Sequence, residues 1–285
     1  MTAVTARKTN IIMDDITSKR EYDNRPIGVF DSGFGGASTL RNILAELPYE
    51  RFIYYGDNAN APYGDKPETE ILRLSEQAAE FLLHKGVKAL VVACNTATSA
   101  SINALRKKLD VPVVSVEPAI KPACAVEGSG KILMLATQAT TRLARYRALQ
   151  ARMPDPERVI NVGCSGLVER IEAGITAEDA FDDILWEKLA DFEGMEIDGI
   201  VLGCTHYPFI MPAVRRYARV HFKGGCRIFD GNQGTARQLK RVIREHACEA
   251  EPVAPDGRVR FFTSGCAEAC EPIFRRLLEI PIYEQ

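Results

Sequence analysis

The chain has 285 residues, 46% hydrophobic and 26% charged, with 36 basic against 38 acidic side chains and a formal net charge of −2. That length suits two domains with a sizeable core, and that charge balance lacks the basic footprint of a nucleic-acid binder. No run approaches the roughly 18 apolar residues of a membrane span, and the polar opening stretch lacks the apolar core of a secretory signal. The expectation is a cytoplasmic protein with neither a membrane nor a nucleic-acid partner.

Residues 1–24 show no apolar periodicity and are read as an N-terminal extension. Pro26–Phe30 reads as a strand, followed at once by Asp31-Ser32-Gly33-Phe34-Gly35-Gly36. Glycines placed there let the chain turn tightly and offer N–H groups to a small anion such as a carboxylate. A dinucleotide fingerprint is excluded because Ser38 holds its third glycine position. Phe52–Gly56 is the second strand, and Asp57–Lys66, with Pro62-Tyr63-Gly64, is a loop at the same sheet edge. Pro67 opens a helix with Ile71, Leu74, Ala78, Phe81 and Leu82 on one face, closed by Gly86.

Strand Ala89–Ala93 feeds Cys94, a helix covers Thr98–Leu109, and Val111–Val116 is a strand. Pro118 and Pro122 mark a crossing into a second domain. There, strands are expected at Lys131–Ala136, Val159–Val162 and Gly199–Leu202, with helices from Tyr146 to about Arg152 and over Ala177–Phe192. Pro208–Tyr217 reads as a helix, Arg227–Asp230 as a strand, and Thr235–His246 as a helix. Arg258–Thr263 and Glu268–Leu278 give the last strand and helix. This alternation predicts an α/β protein: two related α/β domains with mainly parallel sheets and the active site between them. The expected division is 25–117 plus 229–285 for the first domain and 118–228 for the second.

Two stretches echo each other: Ala89–Thr96 ends on Cys94-Asn95-Thr96, and Gly199–His206 ends on Cys204-Thr205-His206. Each is a buried strand delivering a thiol to the sheet edge where ligands bind in open α/β folds. A thiol heading a helix is expected to have a lowered pKa. Thr96 and His206 are placed to hydrogen-bond the thiolates or a ligand, and Asp31 to exchange a proton. The eight cysteines (Cys94, Cys124, Cys164, Cys204, Cys226, Cys248, Cys266, Cys270) are spread over a long chain, which argues against disulfides and for mostly buried, inert thiols. A metal site from Cys204, His206 and Cys266 or Cys270 lacks a paired ligand spacing, so none is assigned. A lone Cys-His nucleophile leaves Cys94 unexplained.

Four segments in register, Val29–Gly36, Pro62–Gly64, Val91–Ala97 and Val201–Pro208, closely resemble the glutamate racemases of the aspartate/glutamate racemase superfamily. The resemblance runs from about Pro26 to the last helix. It implies a cofactor-independent isomerase interconverting L- and D-glutamate for peptidoglycan synthesis. Cys94 would take the α-proton of D-glutamate and Cys204 that of L-glutamate, assisted by Asp31 and His206. Asp31, Ser32, Tyr63, Gly64, Asn95, Thr96, Thr205 and His206 would bind the substrate. An auxiliary acid is placed at Glu172, with Glu169 as its competitor. The extension resembles that of members activated by a UDP-linked muramyl peptide precursor, and a homodimer is a family-level expectation. The resemblance departs at Ala136-Thr137-Gln138-Ala139-Thr140, at Leu143 and at Asp230–Gln233. Racemisation of another acidic amino acid, or a catalytically silent binding or regulatory protein on the same fold, are the alternatives.

Overall fold

The computed structural model of the protein describes residues 22–283. The extension expected over 1–24 therefore lies, up to residue 21, outside the described residues. Nine strands form two all-parallel sheets among those residues. The first has the order β4-β3-β1-β2-β9, from β1 (Ile27–Asp31), β2 (Phe52–Gly56), β3 (Ala89–Val92), β4 (Val113–Ser115) and β9 (Val259–Thr263). The second has the order β6-β5-β7-β8, from β5 (Lys131–Ala136), β6 (Val159–Gly163), β7 (Ile197–Leu202) and β8 (Arg227–Asp230). Central strands β1, β3 and β7 are buried at every position. Parallel strands covered on both faces need such continuous apolar runs, which is why they were easy to read.

Helices α1 (Ala37–Glu46), α2 (Glu68–His84) and α3 (Asn95–Lys108) cover the first sheet. The second unit carries α4 (Ile120–Cys124), α5 (Gln138–Arg142), α6 (Ala144–Gln150), α7 (Leu167–Glu172), α8 (Asp182–Leu189) and α9 (Met211–His221). The chain then returns through α10 (Asn232–Glu245), packed on α1, to β9 and α11 (Ala267–Glu279). No helix among the described residues is long and apolar enough to cross a membrane.

Several helices differ from expectation; α10, for one, starts at Asn232 rather than Thr235. α3 starts at Asn95 rather than Thr98, because the Cys94 sulfur caps it by accepting the Ala97 N–H at 3.4 Å. The helix expected over Ala177–Phe192 has α-helical geometry only over α8. It is flanked by tighter turns at Glu178–Phe181 and Ala190–Phe192, as helix ends commonly are. The helix expected from Pro208 is a similar turn over Tyr207–Ile210 before α9 begins.

At the edge of the first sheet away from Cys94, a buried ion pair ties four segments together. Lys88 Nζ lies 2.6 Å from Glu50 Oε2 and donates to the Asp23 carbonyl at 2.6 Å, while Glu50 Oε1 accepts the Ala250 N–H at 2.8 Å. Removing one partner leaves a buried charge uncompensated. Lys88→Met is therefore expected to destabilise the fold by about 3–5 kcal/mol. A lowered urea midpoint with an unchanged slope checks this.

Candidate active site

The carboxyl ends of β1, β3 and β7 meet at one cavity. Ser32, Cys94, Asn95 and Thr96 line it from the first unit, together with Ala61, Pro62 and Gly64 of the loop after β2. Thr137, Val168, Glu172, Cys204, Thr205 and His206 line it from the second. Its volume is about 20 Å³, room for little more than one water molecule.

The glycines after β1 explain how the two units come so close. A Cβ on Gly33 would run into Glu172 Oε1, and one on Gly35 into the His206 ring and the Thr205 hydroxyl. The expected anion at this loop is thus one of the protein's own carboxylates: the Phe34 N–H donates to Glu172 Oε1 at 3.3 Å. Further bonds cross the same seam. Ser38 Oγ donates to the Thr205 carbonyl at 2.6 Å, and Thr205 Oγ1 donates to Asp31 Oδ2 at 3.1 Å.

Cys204, His206 and Glu172 form a chain. His206 Nδ1 lies 3.7 Å from Cys204 Sγ, and Nε2–H donates to Glu172 Oε1 at 2.8 Å. Burial opposes a charge on His206, but the neighbouring sulfur and carboxylate outweigh it and hold the imidazole pKa well above its usual value. Burial also pushes Glu172 upward, and the His206 contact more than reverses this, leaving its pKa lowered. Glu169 sits on the exposed side of α7, so the structure brings Glu172 and not Glu169 to the histidine.

Cys94 lies in a different setting. Its sulfur is 3.4 Å from Ser32 Oγ and receives the Ala97 N–H. Burial, reinforced by the Asp31 charge, nevertheless pushes its thiol up to about 12. The lowered pKa expected from the helix start is therefore corrected, because desolvation outweighs the dipole and the two hydrogen bonds. Cys204 departs from that expectation in geometry, since a tight turn rather than a helix follows it. Asp31 is fully buried behind the cavity, its Oδ1 accepting the Gly33 N–H at 2.9 Å, and burial raises its own pKa.

The other expected residues divide. Ser32, Gly64, Asn95, Thr96 and Thr205 line the cavity. Asn95 is buried, and its Oδ1 receives no hydrogen bond from the described residues. The side chain of Tyr63 does not line the cavity: its hydroxyl donates to Asp57 Oδ2 at 2.7 Å. Thr137 was not expected there. With Thr96 and Thr140 it forms a triangle of hydroxyls 3.0–3.1 Å apart that joins the two units. The Thr-x-x-Thr spacing was its sequence signal, because a threonine capping α5 accepts the N–H three residues on. Cys266 and Cys270 lie outside the cavity.

Two titrations follow. At pH 8 Cys94 should carry about a thousandfold less thiolate than a thiol of ordinary pKa near 9. Iodoacetamide peptide mapping of the free protein should then find exposed Cys266 labelled well before Cys94. Because the His206 pKa is raised on folding, its stabilising contribution is complete below about pH 6.5 and fades as pH rises through the folded value. Glu172→Gln should move that loss to lower pH, which histidine-ring NMR and pH-dependent denaturation would both register.

The Asp/Glu/Hydantoin racemase family model matches residues 28–239. Glutamate racemase from Clostridium perfringens is 42% identical over 261 residues, covering 91% of this chain and 98% of that protein. Among solved structures, glutamate racemase from Francisella tularensis in complex with D-glutamate is 27% identical with a TM-score of 0.77, covering 92% of this chain and 96% of that one. The Escherichia coli glutamate racemase, in complex with L-glutamate and the activator UDP-MurNAc-Ala, is 32% identical with a TM-score of 0.73, covering 89% and 95%. By the match of its sequence along most of its length, and by a fold shared with these enzymes, the chain belongs to the Asp/Glu/hydantoin racemase family.

Proposed function

We propose that the protein is a glutamate racemase in which one of Cys94 and Cys204 removes the α-proton and the other returns a proton to the opposite face. The observation that carries this reading is the convergence of two thiols from two sheets on one small cavity that buries an unpaired amide oxygen, Asn95 Oδ1. That oxygen suits an ammonium group. The neutral donors around it, from Ser32, Thr96, Thr137 and Thr205, suit carboxylates. Glutamate is the substrate that its relatives support.

In the proposed reaction the Cys94 sulfur, as thiolate, takes the α-hydrogen of D-glutamate, and the C–H electron pair passes into the α-carboxylate. The Cys204 thiol then gives its proton to the other face of the planar carbon. Cys94 ends as the thiol and Cys204 as the thiolate, ready for the reverse direction. His206 stabilises charge at Cys204, and Glu172 fixes the ring by accepting from Nε2–H. Asp31 stands behind the cavity as the polar partner on the Cys94 side. The high pKa of the free Cys94 thiol gives the substrate a part in its own activation, since an ammonium in a dry cavity offsets the Asp31 charge and favours the thiolate. Each tenfold gain in rate requires about 1.4 kcal/mol of transition-state stabilisation, and donors fixed in a water-excluded site act most strongly.

A 20 Å³ cavity leaves little room for glutamate, and in this reading the two units part for binding and close again for reaction. The reading also places the protein in the cytoplasm, supplying D-glutamate for peptidoglycan, without a cofactor and as a homodimer. Activation by a UDP-linked muramyl precursor is supported by the E. coli relative and its activator.

Purified protein should racemise D- and L-glutamate without added cofactor, and aspartate far more slowly. Cys94→Ser and Cys204→Ser should each lower kcat by about 10²–10⁴-fold, the range for a lost acid–base group. Circular dichroism, with and without the muramyl nucleotide, follows both. Unchanged rates in either variant would remove the two-thiol mechanism.

A further inference from the structure

Asp57 follows β2 directly, is 3% exposed, and has no part in the proposed proton transfer. Its backbone N–H donates to the Asp31 carbonyl at 3.0 Å, so it is fastened to the strand that carries Ser32 to the cavity. Its carboxylate faces the other way, into the loop that follows. Oδ2 accepts the Tyr63 hydroxyl at 2.7 Å and Asn60 Nδ2 at 3.2 Å, and Oδ1 accepts Asn60 Nδ2 at 3.0 Å. The Asp57 carbonyl accepts the Asn60 N–H at 3.0 Å as well.

On its other side this loop is a wall of the cavity, through Ala61, Pro62 and Gly64. A wall with so little side chain cannot hold its own position. Tyr63 is fully buried, with its ring 6.3 Å from that of Phe30, and fixes the loop from behind. In front there is no slack, because a Cβ on Gly64 would stand 3.0 Å from Thr137 Cβ.

A buried carboxylate is costly unless its lone pairs are filled. Here neutral donors from the loop fill them. Its two oxygens accept the phenol and the amide together, which fixes a single orientation. We infer that Asp57 is a positioning residue: by holding Tyr63 and Asn60 it sets the Ala61–Gly64 wall against the bound amino acid and so governs substrate affinity rather than proton transfer. This deepens the racemase reading and rests on it for the identity of the substrate.

The test combines kinetics with amide hydrogen exchange of the free protein. Tyr63→Phe removes only the hydroxyl. It should raise KM for both enantiomers about tenfold with kcat within about threefold, the signature of lost uniform binding. The same variant should speed exchange at the Asn60 and Lys66 amides about tenfold while global unfolding shifts little. Asp57→Asn keeps an oxygen for the phenol and should restore KM to within about threefold of wild type. Asp57→Ala should match or exceed Tyr63→Phe, and the double variant should be no worse than Asp57→Ala, as expected of one coupled unit.

A KM within twofold of wild type in Tyr63→Phe, unchanged loop exchange, or a loss confined to kcat overturns the assignment. If the wild type fails to racemise glutamate, the functional reading falls. Exchange then decides alone: faster loop exchange in Tyr63→Phe upholds the positioning role, and unchanged exchange removes it.

Discussion

The site depends on how closely the loop after β1 approaches the second unit. Glycine at positions 33 and 35 removes the side chains that would otherwise hold Glu172, Thr205 and His206 away. With those side chains absent, Phe34 N–H reaches Glu172, and Thr205 reaches Asp31. The same contact brings Cys204 to the cavity that Cys94 lines. The glycine run therefore acts chiefly through close packing, and the Phe34 N–H within it serves the protein's own carboxylate.

Close approach also dries the site, and dryness sets its electrostatics. Removing water raises Asp31 against the pull of the His206 charge, and raises Cys94, to which the Asp31 charge adds. On the opposite side Glu172 and His206 compensate each other, so that pair sustains charge where Cys94 does not. The two thiols thus start from unlike surroundings, one capped by neutral donors and one facing a histidine held by a carboxylate. An amino-acid substrate brings both signs of charge and changes that balance on entry. The hydroxyl triangle of Thr96, Thr137 and Thr140 lies on the same seam, where opening for substrate exchange would separate it.

The sequence made strands and thiols legible because both follow local rules. β2, β5 and β8 have the bounds expected from their apolar runs, and Cys94 and Cys204 end two such runs. Side-chain direction was less legible. Tyr63 stood in a recognisable Pro-Tyr-Gly segment, yet its phenol turns to Asp57, a partner six residues away that no periodicity marks. The choice between Glu169 and Glu172 needed the turn of α7 against His206, a contact across 34 residues. The Cys94 pKa departs from the helix-start expectation for a related reason. A helix start is visible in sequence, whereas the desolvation that outweighs it belongs to the assembled interface.

The central claim is that two different groups serve the two faces of one carbon. Racemisation followed polarimetrically in deuterated water tests it most directly, starting from a single enantiomer with protium at the α-carbon. With two bases the product alone gains solvent deuterium at first. Its return is slowed by the isotope, so the optical rotation should pass through zero and overshoot before settling. A smooth decay to zero, with deuterium entering the remaining starting enantiomer as fast as the product, would show one base serving both faces and contradict the account.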